Sequence, residues 1–411
     1  MKPCRRGVAL ARVVSLAVGA LLTSVPGLSS QMTTLIRLED AQSRISTDSN
    51  NAELQYQLAL GYWNKRRWDD AERALQAMVS IEPRTAKGQL ALAMIPFARR
   101  ERLRGEVIDG RVPENLRATV EGSESRMRLA FMIDPLVSQQ VIGAVTPDPT
   151  RYFPPTEEAH EVRQLVYQWH EDFYAERYGS AYSRLQVLIR EAQWTRGRDK
   201  IPAYVRWIRG LAAAHIARFD SAIADIRVLY QRAVDHQESD TIIHIPLRTN
   251  EYRYILGVLH LNAGSLDTAA TLFREAAEND IGLFMAHVRL AEIHEALGDL
   301  DAAINERKLA IASNPDEGSL YYEAGVALMK ANLLDEALEM MMTARQTNPR
   351  DPQSPFAAAV IQLSLGKTDE ARESLVHFLR IAPSYLAPQI DRARQQLGAL
   401  NAPNPAPPAA P

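Results

Sequence analysis

Small and apolar residues recur with a long period along the C-terminal half of the chain. Prolines at positions 315, 349 and 383 are spaced by 34 residues, and each ends a segment with the same order of alanine, glycine and larger apolar residues. A segment of this length with a turn near its middle predicts two antiparallel helices. The pattern therefore predicts a helical repeat array, and no alternation of β-branched and polar residues indicates a sheet domain.

Four copies of this segment are in register. They begin at Asn250, Phe284, Gly318 and Pro352. In the copy that begins at Phe284, Leu290 and Ala291 fall in the first helix, Gly298 at the turn and Ala303 in the second helix. Small residues at such places let two helices approach closely. The closing proline ends the second helix because it has no amide hydrogen.

Earlier copies are less regular. Residues 52–83 fit the pattern well and residues 203–229 fit it partly, whereas the register between them is uncertain. Two irregular stretches lie there, at about 104–113 and 142–156. We interpret them as loops inserted into one continuous solenoid, since insertions in repeat proteins often project from one face. A break between two arrays near residue 145 is the alternative.

The period and the placement of small residues resemble the tetratricopeptide repeat family. The resemblance implies an all-α fold, an α-solenoid of stacked antiparallel helix pairs. We expect an N-terminal helical region over residues 31–200 and a C-terminal array over residues 201–398 that ends in a capping helix. Residues 399–411 are rich in proline and alanine, which predicts an extended, disordered tail.

In this family, the first helix of each repeat lines a concave groove through its second, fifth, ninth, twelfth and thirteenth places. The resemblance therefore implies a set of partner-binding candidates at those places. They are Tyr56, Trp63, Asn64, Tyr204, Trp207, His215, Tyr254, Asn262, Tyr322, Lys330 and Phe356. Aromatic residues recur at the fifth place, where they are either rigid anchors for a peptide or packing residues against neighbouring repeats. The lysine and asparagine that clamp a terminal carboxylate in chaperone-binding members are missing from most of these places.

The N-terminus predicts export. Lys2, Arg5 and Arg6 precede an apolar stretch over residues 13–22, and Pro26 and small residues follow it. This is the layout of a secretory signal peptide, here residues 1–30. The apolar stretch is shorter than the roughly 20 residues that a membrane span needs. We expect the periplasm or cell envelope of a bacterium, with an uncleaved membrane anchor or a mitochondrial presequence as alternatives.

Charge and cysteine content narrow the classes of function. The formal net charge is -3, and removal of residues 1–30 takes away four basic and no acidic residues, which makes it -7. A negatively charged protein is a poor general binder of nucleic acid, because such binding neutralises phosphates. The single cysteine, Cys4, lies in the predicted signal peptide. The mature chain is therefore expected to use neither disulfides nor thiolate chemistry.

Catalytic motifs are not found in the sequence. It has no glycine-rich phosphate loop and no nucleophile elbow, and His294–Glu295 lacks the second histidine of a zinc-binding helix. His287 and His294 share a helix face, and His236 and His244 flank an apolar connection; packing or solvation explains both pairs. The hypothesis is a non-catalytic scaffold that holds segments of partner proteins and needs no cofactor. A self-associating structural component and a metal-dependent enzyme are the alternatives.

Overall fold

The computed structural model describes residues 37–136, 168–191, 201–236 and 240–401, apart from positions 101, 104, 105, 107–110, 170, 174, 202, 243 and 244 within those ranges. The predicted signal peptide, the predicted loop at 142–156 and most of the predicted tail lie outside the described residues. So does most of the predicted loop at 104–113.

Helices form nearly all of the described chain. In chain order they are α1 Leu38–Thr47, α2 Ala52–Asn64, α3 Trp68–Ile81, α4 Ala86–Arg99, α5 Glu114–Ile133, α6 Tyr178–Glu191, α7 Ala203–His215, α8 Phe219–His236, α9 Thr249–Asn262, α10 Leu266–Asn279, α11 Phe284–Ala296, α12 Leu300–Ser313, α13 Gly318–Lys330, α14 Leu334–Thr347, α15 Gln353–Ser364, α16 Thr368–Ile381 and α17 Ala387–Asn401. Two short strands, β1 Asp240–Ile242 and β2 Ile245–Leu247, pair antiparallel between α8 and α9. Apart from the pair α5 and α6, each described helix packs on its neighbours in sequence, so the predicted all-α solenoid of stacked helix pairs is confirmed.

The predicted period is visible in the backbone. Gly264, Gly298 and Gly366 have φ angles of 78°, 80° and 73°, and Asn332 has a φ of 60° at the equivalent turn. These four residues are spaced by 34 positions. The turn between the two helices of a repeat requires the left-handed region, which glycine adopts freely and asparagine tolerates. Asn332 therefore replaces glycine at a turn of unchanged geometry.

Close packing explains the small residues inside the repeats. A Cβ atom on Gly257 would lie 2.7 Å from Cε1 of Phe273, and one on Gly325 would lie 2.8 Å from Cε of Met341. Ala303, Ala337 and other alanines at the same place are fully buried. Helices within a repeat therefore touch through positions where a larger side chain has no room.

The N-terminal part of the chain folds back against the C-terminal part. We call residues 38–136 the N-terminal arm. From here on, the name C-terminal array is kept for residues 249–381, the regular part of the array predicted over residues 201–398. Asn50 contacts Arg350, Arg84 contacts Glu323 farther back in the array, and Arg128 contacts Asp280 still farther back. The contacts thus run in opposite order along the two parts, and the arm lies antiparallel to the array.

Candidate partner-binding groove

The first helices of the repeats present one face to the N-terminal arm. We call this face, formed by α7, α9, α11 and α13, the groove face. Side chains from three of these helices hold the same short segment of the arm, residues 132–136, which spans the end of α5 and the turn after it. The groove face is therefore occupied by the chain itself.

The segment is held through its main-chain carbonyl oxygens. The hydroxyl of Tyr254 donates a hydrogen bond of 2.6 Å to the carbonyl of Met132, and the Arg289 guanidinium donates one of 3.0 Å to the carbonyl of Ile133. Nε2 of His215 lies 2.9 Å from the carbonyl of Leu136. Because a carbonyl only accepts, Nε2 of His215 carries the hydrogen. Three consecutive first helices, α7, α9 and α11, each supply one donor.

Apolar contacts accompany these hydrogen bonds. Met132 packs against the apolar cluster that contains Tyr254 and Phe273. Leu136 packs against the neighbouring cluster that contains Trp207 and Leu211. The segment is therefore bound by its main chain and by the apolar side chains on either side of its Asp–Pro turn.

Two of the three donors are held in place by neighbouring side chains. The His215 ring stacks on the Tyr178 ring with centroids 4.0 Å apart and planes 9° apart. Both Nη1 contacts of Arg289 go to the Glu292 carboxylate, at 3.0 and 2.9 Å. Burial lowers the pKa of His215 and raises the pKa of Tyr254. At neutral pH both side chains are therefore uncharged donors.

A second contact between arm and array is ionic. The guanidinium of Arg84, in the turn after α3, pairs with Glu323 of α13 and lies 4.0 Å from Sδ of Met285. Glu323 also accepts from Arg307, and Arg307 continues to Glu295 at 3.0 Å. Burial lowers the pKa of Arg84 to about 10. It stays charged at neutral pH, so the arm inserts a cation into a charged network on the groove face.

A third contact joins the start of the arm to the end of the array. Nε of Arg350 donates to Oδ1 of Asn50 at 3.1 Å, and its Nη1 donates to Oγ of Ser80 at 2.9 Å. Nδ2 of Asn50 donates in return to the carbonyls of Arg350 and Ile381, at 2.9 and 2.8 Å. Nearby, Oγ of Ser384 donates to the carboxylate of Asp48 at 2.7 Å. Neutral and charged hydrogen bonds therefore connect the start of the arm to the end of the array.

Most of the predicted aromatic groove residues are buried within the fold. Tyr56, Trp63, Trp207, Tyr254 and Phe356 are all 5% exposed or less. The Lys87 ammonium lies 4.4 Å over the Tyr56 ring, Phe131 of the arm stacks on Trp207, and Phe356 lies 4.9 Å from Phe378. These positions are those of packing residues. Contact between their rings and a partner stays a prediction.

The remaining predicted groove residues are placed differently. His215 and Tyr254 are brought together on the segment of residues 132–136, whereas Asn64 and Asn262 are exposed at the ends of their helices. Tyr322 is half-buried, and Lys330 pairs with Glu295 at the edge of the Arg84 network. The side chain of Tyr204 lies outside the described part of the chain.

Two arginines that contact the other part of the chain across the groove face were missed from the sequence. Arg289 occupies the sixth place of its repeat, which is not among the family's groove places, and Arg84 lies in a turn. Arg84 directly follows the repeat-closing Pro83. This position indicates a contact with the array only once the arm is known to fold back. Neither the fold-back nor its direction follows from a repeat pattern.

Groups considered for metal binding or catalysis are paired with other residues. Nδ1 of His287 lies 2.7 Å from Oε2 of Glu306, and Nδ1 of His294 lies 3.9 Å from Oδ2 of Asp299. Over the part of the chain that the structure describes, no three His, Cys, Asp or Glu side chains are grouped to hold a metal ion. The side chains of His236 and His244 lie outside it.

No helix among the described residues has both the length and the apolar character needed to cross a membrane.

Comparison with known proteins supports the repeat assignment. A tetratricopeptide repeat family model matches residues 229–283, which confirms the predicted resemblance to that family. No curated protein matches the chain.

Several solved structures are similar to part of the chain. A crystal structure of MamA is 17% identical and covers 45% of this chain and 96% of that one, with a TM-score of 0.36. A MamA fragment from Desulfovibrio magneticus RS-1 is 15% identical and covers 49% of this chain and 97% of that one, with a TM-score of 0.34. The C-terminal part of a TPR repeat-containing protein from Cytophaga hutchinsonii is 13% identical and covers 59% and 96% of the two chains, with a TM-score of 0.43.

Proposed function

We propose that this protein is an exported, non-catalytic scaffold that binds a segment of a partner protein on its groove face. The observation that supports the proposal most directly is the binding of residues 132–136 through their carbonyl oxygens. Tyr254, Arg289 and His215 contact main-chain atoms, which every protein segment has. A surface that holds one irregular segment in this way is suited to hold another.

The energetics of such a site agree with a binding role. A hydrogen bond between neutral groups contributes about 0.5–1.5 kcal/mol and one to a charged group about 1.5–3 kcal/mol. Two neutral donors and one arginine therefore supply moderate binding, to which apolar side chains add. Moderate and replaceable binding fits a scaffold better than a permanent assembly.

The place of action that we propose is the bacterial cell envelope. Its support is the layout of residues 1–30, with basic residues before an apolar stretch. The negative charge of the mature chain further favours protein partners over nucleic acid.

The proposal is tested by co-purification from the native cell envelope. The mature protein is compared with Arg289→Ala and with Arg274→Ala, a matched control because Arg274 is exposed on the second helix α10. We expect a partner to be retained by the wild type and by Arg274→Ala, and to be lost from Arg289→Ala. Equal retention by all three proteins would contradict binding on the groove face. Circular dichroism establishes that each variant is folded.

A further inference from the structure

The segment of residues 132–136 occupies the groove face as a bound peptide would. We infer that this segment is an intramolecular ligand, and that the partner carries a segment of the same chemistry which must displace it. That chemistry is a helix whose last two residues are apolar, followed by Asp–Pro and a further apolar residue. The inference rests on the proposed function and adds to it the class of partner segment and the way in which access is controlled.

The first step of the argument concerns the carbonyl oxygens. Met132 and Ile133 are the last two residues of α5, so their carbonyls have no partner within the helix. At Asp134 the backbone is extended, with φ at -143° and ψ at 97°. The chain therefore leaves its helix with carbonyl oxygens pointing outward, and the groove face supplies donors at the spacing of that geometry. A partner needs a helix end of the same kind to meet all three donors.

The second step concerns the side chains. Pro135 is buried, and Met132 and Leu136 are half-buried against two adjoining apolar clusters. The Asp134 carboxylate accepts from the amide of Leu136 at 2.9 Å, which fixes the turn between them. Proline restricts the backbone of the bound form further, because its φ is fixed and the residue before it is held extended. These features select apolar residues on both sides of an Asp–Pro pair.

The third step concerns competition. The arm is also held to the array away from this segment, for example by the Arg84 contact with Glu323 and the Arg350 contact with Asn50. A tethered segment acts at a high local concentration, on the order of millimolar for a short connection. An external segment of equal intrinsic affinity therefore binds weakly until the arm is released. Contacts remote from the groove donors thus set the apparent affinity for the partner.

The test uses a fluorescein-labelled synthetic peptide of residues 124–138 as the probe, with binding followed by fluorescence anisotropy. Three full-length proteins are compared: the wild type, a variant in which residues 132–136 are replaced by Gly-Ser-Gly-Ser-Gly, and the same variant with Arg289→Ala. We expect the replaced variant to bind the peptide at least about tenfold more tightly than the wild type. Adding Arg289→Ala should weaken that binding by about tenfold, as expected for the loss of one charged hydrogen bond. Equal binding to the first two proteins, or binding to neither, would overturn the inference.

A second variant keeps the test decisive if the replaced protein does not fold. Arg84→Ala combined with Arg350→Ala leaves the groove donors and residues 132–136 intact. It should bind the peptide at least about threefold more tightly than the wild type, because the tether is weakened. An unchanged affinity would then refute the inference.

The two proposals fail separately. A partner that co-purifies through Arg289, together with a peptide that binds no variant, would leave the scaffold function standing and remove the intramolecular ligand. A peptide that binds the opened variants, with no partner retained from the envelope, would leave the intramolecular ligand standing and remove the scaffold function.

Discussion

The C-terminal array and the N-terminal arm are built from the same kind of helix pair, yet they differ in regularity. In the array, left-handed turns at 264, 298, 332 and 366 follow one another at a constant spacing. In the arm, α5 is 20 residues long, whereas the second helices of the array have 14. The regular part supplies three of the four helices of the groove face, and the irregular part supplies the segment that fills it. Departures from the repeat are therefore where this molecule gains a feature that a plain solenoid lacks.

The largest loss of stability is expected from a substitution in the core of the regular C-terminal array. Phe273 is fully buried in α10 and lies against Gly257 of α9, where no larger residue fits. Phe273→Ala should lower the free energy of unfolding by about 3–5 kcal/mol, because it leaves a cavity between two helices of one repeat. Urea unfolding followed by circular dichroism measures this change.

A matched control is available on the exposed side of the array. Val376→Ala removes apolar atoms from a side chain that is 52% exposed, and it should change the free energy of unfolding by less than about 0.5 kcal/mol. A loss for Phe273→Ala that is no larger than this control would mean that α9 and α10 are not packed as described.

The next largest loss of stability is expected from a substitution that weakens the contact between the arm and the array. Arg84→Ala removes the cation between them while Glu323 keeps Arg307 as its partner. We expect a loss of about 2 kcal/mol of stability, because a charged hydrogen bond in a mostly buried place is removed. Small-angle scattering should show a larger radius of gyration as the arm moves away. Arg274→Ala should change neither quantity, and a compact Arg84→Ala protein would show that the arm is held by its other contacts.

The same difference in regularity explains what the sequence could predict. The array was predictable because Gly298, Ala303 and their equivalents recur at a fixed period, and each copy supports the reading of the others. His215 and Tyr254 were candidates through family places alone. Arg289 and the segment it binds were not, since their meeting depends on contacts between residues more than 150 positions apart. Such contacts are set by how the whole solenoid curves, which no local pattern encodes.

Two glycine-to-alanine substitutions are expected to change stability by smaller amounts and in opposite directions. Gly298 has a φ of 80° at a turn of the array, and Gly122 lies in the interior of α5 with no atom near its missing Cβ. Gly298→Ala should lower stability by about 1 kcal/mol because alanine is strained in the left-handed region. Gly122→Ala should raise stability by about 0.5–1 kcal/mol because alanine is the better helix former. Thermal unfolding of both variants measures the two signs, and a gain at Gly298 would contradict the turn geometry.

The smallest expected effect is on the pH dependence of stability, through the protonation of His215. Its folded-state pKa lies below the unfolded value of about 6.5, and burial is the cause. The unfolded state therefore takes up a proton first, so the contribution of His215 is fully present above pH 6.5. It is lost as the pH falls from there through the lower folded-state pKa. The hydrogen bond to the Leu136 carbonyl and the nearby carboxylates of Asp134 and Glu176 oppose the effect of burial on this pKa and keep the loss small. In His215→Gln, an amide that does not titrate replaces the ring, and the drop in thermal stability between pH 7 and pH 5 should be smaller than in the wild type. Equal slopes for the two proteins would mean that protonation of His215 is not linked to the hold on residues 132–136.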